Sequence, residues 1–163
     1  MTRENIYKTH NCGELRIEDQ GKQVRLAGWV NSIRKLGGLN FVTLRDHFGI
    51  TQLLIRDDSL LEGVNKECTI TVEGQVLERE SKNPKMPTGD IEVLVSSLKV
   101  LGKCQSVLPF EINDAPNTKE ELRLKYRYLD LRNPVTHDLI VTRAKMLNFV
   151  RNKLTDMGFL EVQ

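Results

Sequence analysis

Phe41 and Gln52 lie in two neighbouring strand-like runs, at positions that alternation turns toward one side; Glu92 stands near the start of a later run. An outward aromatic ring stacks on planar rings, a contact worth roughly 1 to 3 kcal/mol per nucleic-acid base. A primary amide offers a donor and an acceptor together, and so reads one edge of an unpaired base. An ionised carboxylate only accepts, which suits the N1–H and N2–H₂ of a guanine and disfavours adenine. Cations flank these groups: Arg34 and Lys35 enter one loop, and Arg79, Lys82 and Lys85 occupy another. Together they form a groove for a looped single strand. Catalysis finds no comparable set. His10, His47 and His137 are scattered, and no P-loop, nucleophile elbow or paired-acid motif occurs.

Two runs position the first pair. In Leu39–Asp46, Val42 and Leu44 face one way and Phe41, Thr43 and Arg45 the other; in Ile50–Arg56, Leu53 and Ile55 oppose Gln52, Leu54 and Arg56. Pairing Leu44 with Leu53 and Val42 with Ile55 buries the aliphatic set and turns Phe41, Arg45, Gln52 and Arg56 outward. A different register would seal Phe41 in the core. Taken singly, Gln52 and Glu92 also fit solvated surface groups, Lys82 and Lys85 fit charges on a flexible loop, and Arg45 with Asp46 fits an exposed ion pair of little worth. Trp29 suits a barrel or domain contact.

Around that hairpin run three further strands. Gln23–Ile33 is long and interrupted by Gly28; Cys68–Glu78 carries Gly74; Asp90–Leu101 follows the loop RESKNPKMPTG. Glycine inside a strand marks a bulge or bend of the kind that closes a small barrel. Residues 57–64 read as one or two helical turns between the third and fourth strands. Five strands with a short helix in that place is the order of the OB-fold, a Greek-key barrel whose second and third strands face oligonucleotides. A five-stranded barrel of another type has the same count.

Beyond Leu101 the pattern changes. Pro109 and Pro116 among polar residues suit a hinge, and Pro134 ends what precedes it. From Asp138 to Met157 the residues Ile140, Ala144, Leu147, Val150, Leu154 and Met157 recur at helical spacing, with Thr136 or Asp138 as cap and Gly158 beyond the end. Phe159–Gln163 reads as a strand. A hinge, one helix and half a strand bury no core alone, so this third reads as the opening of a further domain. The expected organisation is a barrel over 1–107, a hinge over 108–134 and the start of an α/β domain over 135–163.

Composition narrows the partners. The 163 residues are 39% hydrophobic and 28% charged with a net charge of +2, so any electrostatic footprint is local. No apolar run approaches the roughly 20 residues that cross a bilayer, and the first residues lack a signal-peptide core. No membrane partner is expected. Cys12, Cys68 and Cys104 are odd in number and far apart, which argues against a zinc site or disulfide framework and suits reduced thiols in the cytoplasm.

Four segments carry a resemblance: GWVNSIRKLGGLNFVTLRDHFGITQLL at 28–54, TGDIEVLVSSLKVL at 88–101, LRLKYRYLDLRNP at 122–134 and RAKMLNFVRNKLTDMGFLEVQ at 143–163. In order and spacing they resemble bacterial-type aspartyl-tRNA synthetase, a class II aminoacyl-tRNA synthetase; the last resembles the start of motif 1. The asparaginyl and lysyl enzymes share the layout, but GWVN, NFVTLRD and GDIEV look more like the aspartyl branch.

The resemblance implies an anticodon-binding domain for tRNA(Asp). It makes Phe41 the ring that stacks on an anticodon base, the middle uridine, and Gln52 a hydrogen-bonding partner of anticodon bases. Glu92 matches the glutamate associated with the first base, a guanine or its modified form. Arg34, Arg79 and Asn83 match positions near the anticodon strand. The parent enzyme it implies is an aspartate–tRNA ligase: a dimer using ATP and Mg²⁺ to activate aspartate and transfer it to tRNA. Motifs 2 and 3 are absent from these residues, so the chain alone is expected to be inactive, without cofactor or metal. A non-specific single-strand-binding OB protein and a protein-interaction module are the readings from other classes.

Overall fold

The computed structural model describes residues 5–105 and 107–162, which fall into two compact units divided at Ser106 and Val107. The first unit is built from β1 (Gln23–Leu36), β2 (Leu39–Arg45), β3 (Ile50–Ile55), β4 (Thr69–Glu78) and β5 (Ile91–Gly102). Alternation decides which residues go inside: along β1, Val24, Leu26 and Val30 are buried between more exposed neighbours. They meet Val42, Leu44, Leu53, Ile70, Val72 and Val93 in one core. Each strand pairs on both sides, in the order β1-β2-β3-β5-β4 and back to β1, so the five-stranded barrel is closed. The closing step is parallel, Leu53 against Val93 and Leu54 against Leu94. The five-strand OB reading is borne out, as are the helical turns between β3 and β4. There Asp58–Leu61 forms a 3₁₀ turn whose cap, Asp57, accepts from the Ser59 N–H.

β1 serves two partners. Gln23–Trp29 pairs with Gln75–Thr69 of β4, and Trp29–Leu36 with Arg45–Leu39 of β2. The register slips between Val30 and Ser32, so the bulge lies at Asn31 rather than at Gly28. Gly28 has a different role: a Cβ there would stand 2.3 Å from the Arg45 carbonyl oxygen, so only glycine lets β1 and β2 approach. In β4 the slip does fall beside Gly74. β1 also runs three residues beyond the expected Ile33 before Gly37 and Gly38, at φ +58° and +80°, turn it into β2. That is the two-residue hairpin turn that requires positive φ at both positions.

The β2–β3 register differs from expectation. Val42 pairs with Leu53, Leu44 with Thr51 and Asn40 with Ile55, a slide of two residues from the expected pairs. The turn sets it: the Asp46 carboxylate accepts from the N–H groups of Phe48 and Gly49, and Arg45 then meets Ile50. A slide of two leaves every side chain on its expected face. The residues before β1 complete the core, with Cys12 and Leu15 fully buried. Cys12 and Cys68 are buried, Cys104 is half-buried, and no disulfide joins them among the described residues; burial pushes the Cys12 thiol up.

In the second unit the expected hinge carries a 3₁₀ turn at Ile112–Asn117 and two short helices, α1 (Glu120–Lys125) and α2 (Arg127–Asp130). Phe110, Ile112, Ala115 and Leu129 form a small core. α3 spans Pro134–Asp156 and begins earlier than expected. Asn133, not Thr136 or Asp138, caps it, accepting from the N–H groups of Val135 and Thr136 at 3.0 and 3.3 Å. Pro134 follows the end of α2, as expected, and also opens α3, since its missing N–H costs nothing in the first turn. Residues 159–162 are not a strand; Gln163, the last residue of that expected strand, lies outside the described residues. The segment folds back on α3 through Phe159 N–H to the Leu154 carbonyl at 3.0 Å and the Arg151–Glu161 ion pair at 2.6 Å. The apolar stripe of α3 is exposed at Ile140, Leu147, Val150 and Leu154.

Candidate nucleic-acid interface

Phe41 sits in the middle of a three-strand surface, paired with Arg34 across β1–β2 and with Leu54 across β2–β3. Its ring is half-buried, set into the floor of a groove of about 550 Å³. The β1–β2 hairpin forms one side through Arg34, Lys35 and Leu36; Arg79, Glu80 and Ser81, just after β4, form the other. Gln52 and Glu92 lie in the groove together, joined by a 2.8 Å hydrogen bond in which Gln52 Nε2 donates to Glu92 Oε2.

The structure thus gathers Arg34, Phe41, Gln52, Arg79 and Glu92 around one groove. Asn83 is not among its lining residues. It shapes the following loop instead, its N–H donating to the Gly89 carbonyl and its Oδ1 accepting from the Lys85 N–H, at 3.0 and 3.1 Å. Lys82 and Lys85 are exposed; an ion pair with Glu78 at 2.7 Å holds Lys82 and raises its pKa.

Two expectations about this surface change. Gln52 and Glu92 are not solvated surface groups: their exposures are 4% and 8%. The β3–β5 pairing draws both strands together and lets the amide and carboxylate satisfy each other. Arg45 belongs to the far end of the ladder, where its guanidinium binds Glu67 and lies 5.9 Å from the centre of the Trp29 ring. Asp46 instead serves the turn and accepts from the Cys12 N–H at 3.1 Å.

Other lining residues were less visible in the sequence. Leu36 and Leu39 add apolar surface at the hairpin tip, a consequence of β1 and β2 running on to the glycine pair. Lys35 reaches Asp58 at 3.0 Å, and Asn40 also donates to that carboxylate. The Asn40 hydrogen bond first, then Lys35, hold the Asp58 carboxyl below the usual carboxylate range. Arg79 has a buried Nη1 with no hydrogen-bond partner among the described residues. A cationic donor left open beside a half-buried ring and a paired amide suits a polyanion that also presents planar bases. Among the described residues no group of His, Cys, Asp and Glu is placed to hold a metal ion, and no helix is long and apolar enough to cross a membrane.

Comparison with known proteins agrees with this geometry. Residues 24–101 match the OB-fold nucleic acid binding domain family, and residues 119–163 match class II tRNA synthetases (D, K and N). The chain is 45% identical to the aspartate–tRNA(Asp/Asn) ligase of Phenylobacterium zucineum, over 98% of its own length and 28% of that protein. It is 47% identical to the aspartate–tRNA ligase of Bacteroides fragilis, over 97% of its length and 28% of that protein. The chain resembles aspartyl-tRNA synthetases over nearly its whole length. It spans little more than a quarter of the curated relatives it matches, in the N-terminal part of the synthetase. Among solved structures, an aspartyl-tRNA synthetase described as putative from Leishmania major shares the fold, with TM-score 0.84 and 22% identity over 100% of this chain and 35% of that one. The asparaginyl-tRNA synthetase of Pyrococcus horikoshii, complexed with asparaginyl-adenylate, gives TM-score 0.79 and 29% identity over 98% of this chain and 36% of that one.

Proposed function

We propose that the barrel reads the anticodon loop of tRNA(Asp) for an aspartate–tRNA ligase. The observation that carries this reading is the groove in which half-buried Phe41 lies beside the joined Gln52 and Glu92, between Arg34 and Arg79. Stacking on Phe41 would hold a splayed base without regard to identity, and the amide and carboxylate would discriminate by hydrogen bonding. Arg34 and Arg79 would take the phosphates.

In a protein of the relatives' length, the anticodon reading would select the tRNA to which ATP-dependent chemistry attaches aspartate. ATP and Mg²⁺ would serve that chemistry; the described residues form no metal-holding cluster, so no step of it is assigned to them. This chain alone would bind RNA without activating aspartate. The exposed stripe of α3 supports a homodimer in the longer protein, and three cysteines far apart in sequence with no disulfide among the described residues support a cytoplasmic setting.

The test is a titration of anticodon stem-loops against the 163-residue chain at moderate salt. Tighter binding of the aspartate anticodon than of unrelated anticodons is expected. Equal affinity for all, with a steep salt slope, would make the chain a non-specific single-strand binder.

A further inference from the structure

The hydrogen bond between Gln52 and Glu92 constrains what the groove presents. Glu92 has side-chain oxygens that only accept when ionised, so the amide must turn its Nε2 toward them. Turning the amide over would set Oε1 against a carboxylate, acceptor facing acceptor in a buried place, and that arrangement is unfavourable. Neither Gln52 Oε1 nor Glu92 Oε1 has a hydrogen-bond partner among the described residues. Both side chains nevertheless line the groove.

We infer that Glu92 is a positioning residue that locks the orientation of the Gln52 amide, so that Gln52 offers its carbonyl oxygen to a base. This rests on the anticodon reading above and adds to it a direction for the hydrogen bond. A locked acceptor demands an N–H donor from the base. Uridine and cytidine carry their donors on different edge atoms, N3–H in one and N4–H₂ in the other, so a locked acceptor tells these pyrimidines apart. A freely turning amide meets either base with donor or acceptor as needed, and so discriminates poorly. Glu92 would thus sharpen the choice at the base facing Gln52, separately from any base it touches itself.

The experiment uses the full 163-residue chain and stem-loops carrying the aspartate anticodon. Gln52→Ala first identifies the loop position whose identity Gln52 reads. The affinity ratio of uridine to cytidine at that position is then measured in three proteins: the unaltered chain, Glu92→Gln, and the exchange variant Gln52→Glu with Glu92→Gln. Glu92→Gln lets both amides turn, and the ratio should shrink about tenfold toward one, the scale of one well-made hydrogen bond. The exchange variant restores a one-way bond, with Gln at position 92 donating to Glu at position 52. The ratio should then return in the original direction even if overall affinity falls from the displaced charge. An undiminished ratio in Glu92→Gln overturns the inference. So does an exchange variant with a native circular dichroism spectrum that fails to recover the ratio. Should Glu92→Gln fail to fold, Glu92→Ala takes its place: the ratio should shrink in the same way, and an undiminished ratio overturns the inference. If the unaltered chain shows no base preference at any loop position, the anticodon reading falls, and this inference with it.

Discussion

Arg45 and Glu67 meet through two hydrogen bonds, 2.8 and 3.0 Å from Arg45 Nη2 to the two carboxylate oxygens, with the Glu67 side chain only 1% exposed. Glu67 holds a left-handed backbone, φ +64°, and its N–H donates to the Val30 carbonyl at 2.7 Å, next to the bulge in β1. The pair fastens the β3–β4 connection to the barrel at the end of the β1–β2 ladder away from Phe41.

Arg45→Ala removes the guanidinium that makes two hydrogen bonds to a buried carboxylate. The expected cost is about 3 to 5 kcal/mol of unfolding free energy, read from urea denaturation. Adding Glu67→Gln should recover part of it. Base preference in the folded protein should not change, because neither side chain lines the groove.

Phe41→Ala removes the ring proposed to stack on a base. Stem-loop affinity should fall by about 1 to 3 kcal/mol, roughly alike for every base placed over the ring, as isothermal titration would show. An unchanged affinity in the folded variant would reject the stacking role.

Asn133 both caps α3 and donates from Nδ2 to the Ile112 carbonyl at 2.7 Å. Asn133→Ala should destabilise the second unit by about 1 to 2 kcal/mol. Hydrogen exchange at the Val135 and Thr136 amides should accelerate, while the barrel core stays protected.

Asp58 is held below the usual carboxylate range by Asn40 and Lys35. A folded pKa below the unfolded one contributes stability above the unfolded value of about 4, lost as pH falls through the folded value. Carboxyl ¹³C titration should therefore place Asp58 below an ordinary aspartate, and Lys35→Ala should move it up. A titration at the ordinary position would dismiss the contact.

Much of the barrel is legible in the sequence because a strand's two faces follow from a period of two. Phe41 faces the groove and Val42 the core, whichever even register β2 and β3 adopt. The register itself was not legible, since it follows from the Asp46 carboxylate seizing the Phe48 and Gly49 amides. Residue type and strand position make Gln52 and Glu92 candidates, but their burial and their bond join residues 40 apart through a parallel strand pairing that no local pattern carries. Thr136 and Asp138 looked like caps by residue type, whereas Asn133 wins because Pro134 needs no N–H partner. The stretch 159–162 has strand-like residues but no neighbouring strand among the described residues to complete a ladder.

The bulge at Asn31 divides β1 into a stretch braced by β4 and a stretch braced by β2 alone. Past it, the glycine-tipped hairpin is a lever with its fulcrum at the barrel rim. A load on Leu36 or Lys35 falls on the β1–β2 ladder and on the Lys35–Asp58 ion pair, while the Gln23–Trp29 half is paired with β4. Should the groove hold an RNA strand as proposed, that arm is the part of its wall that one ladder alone braces, whereas the wall behind Phe41 is paired on both sides.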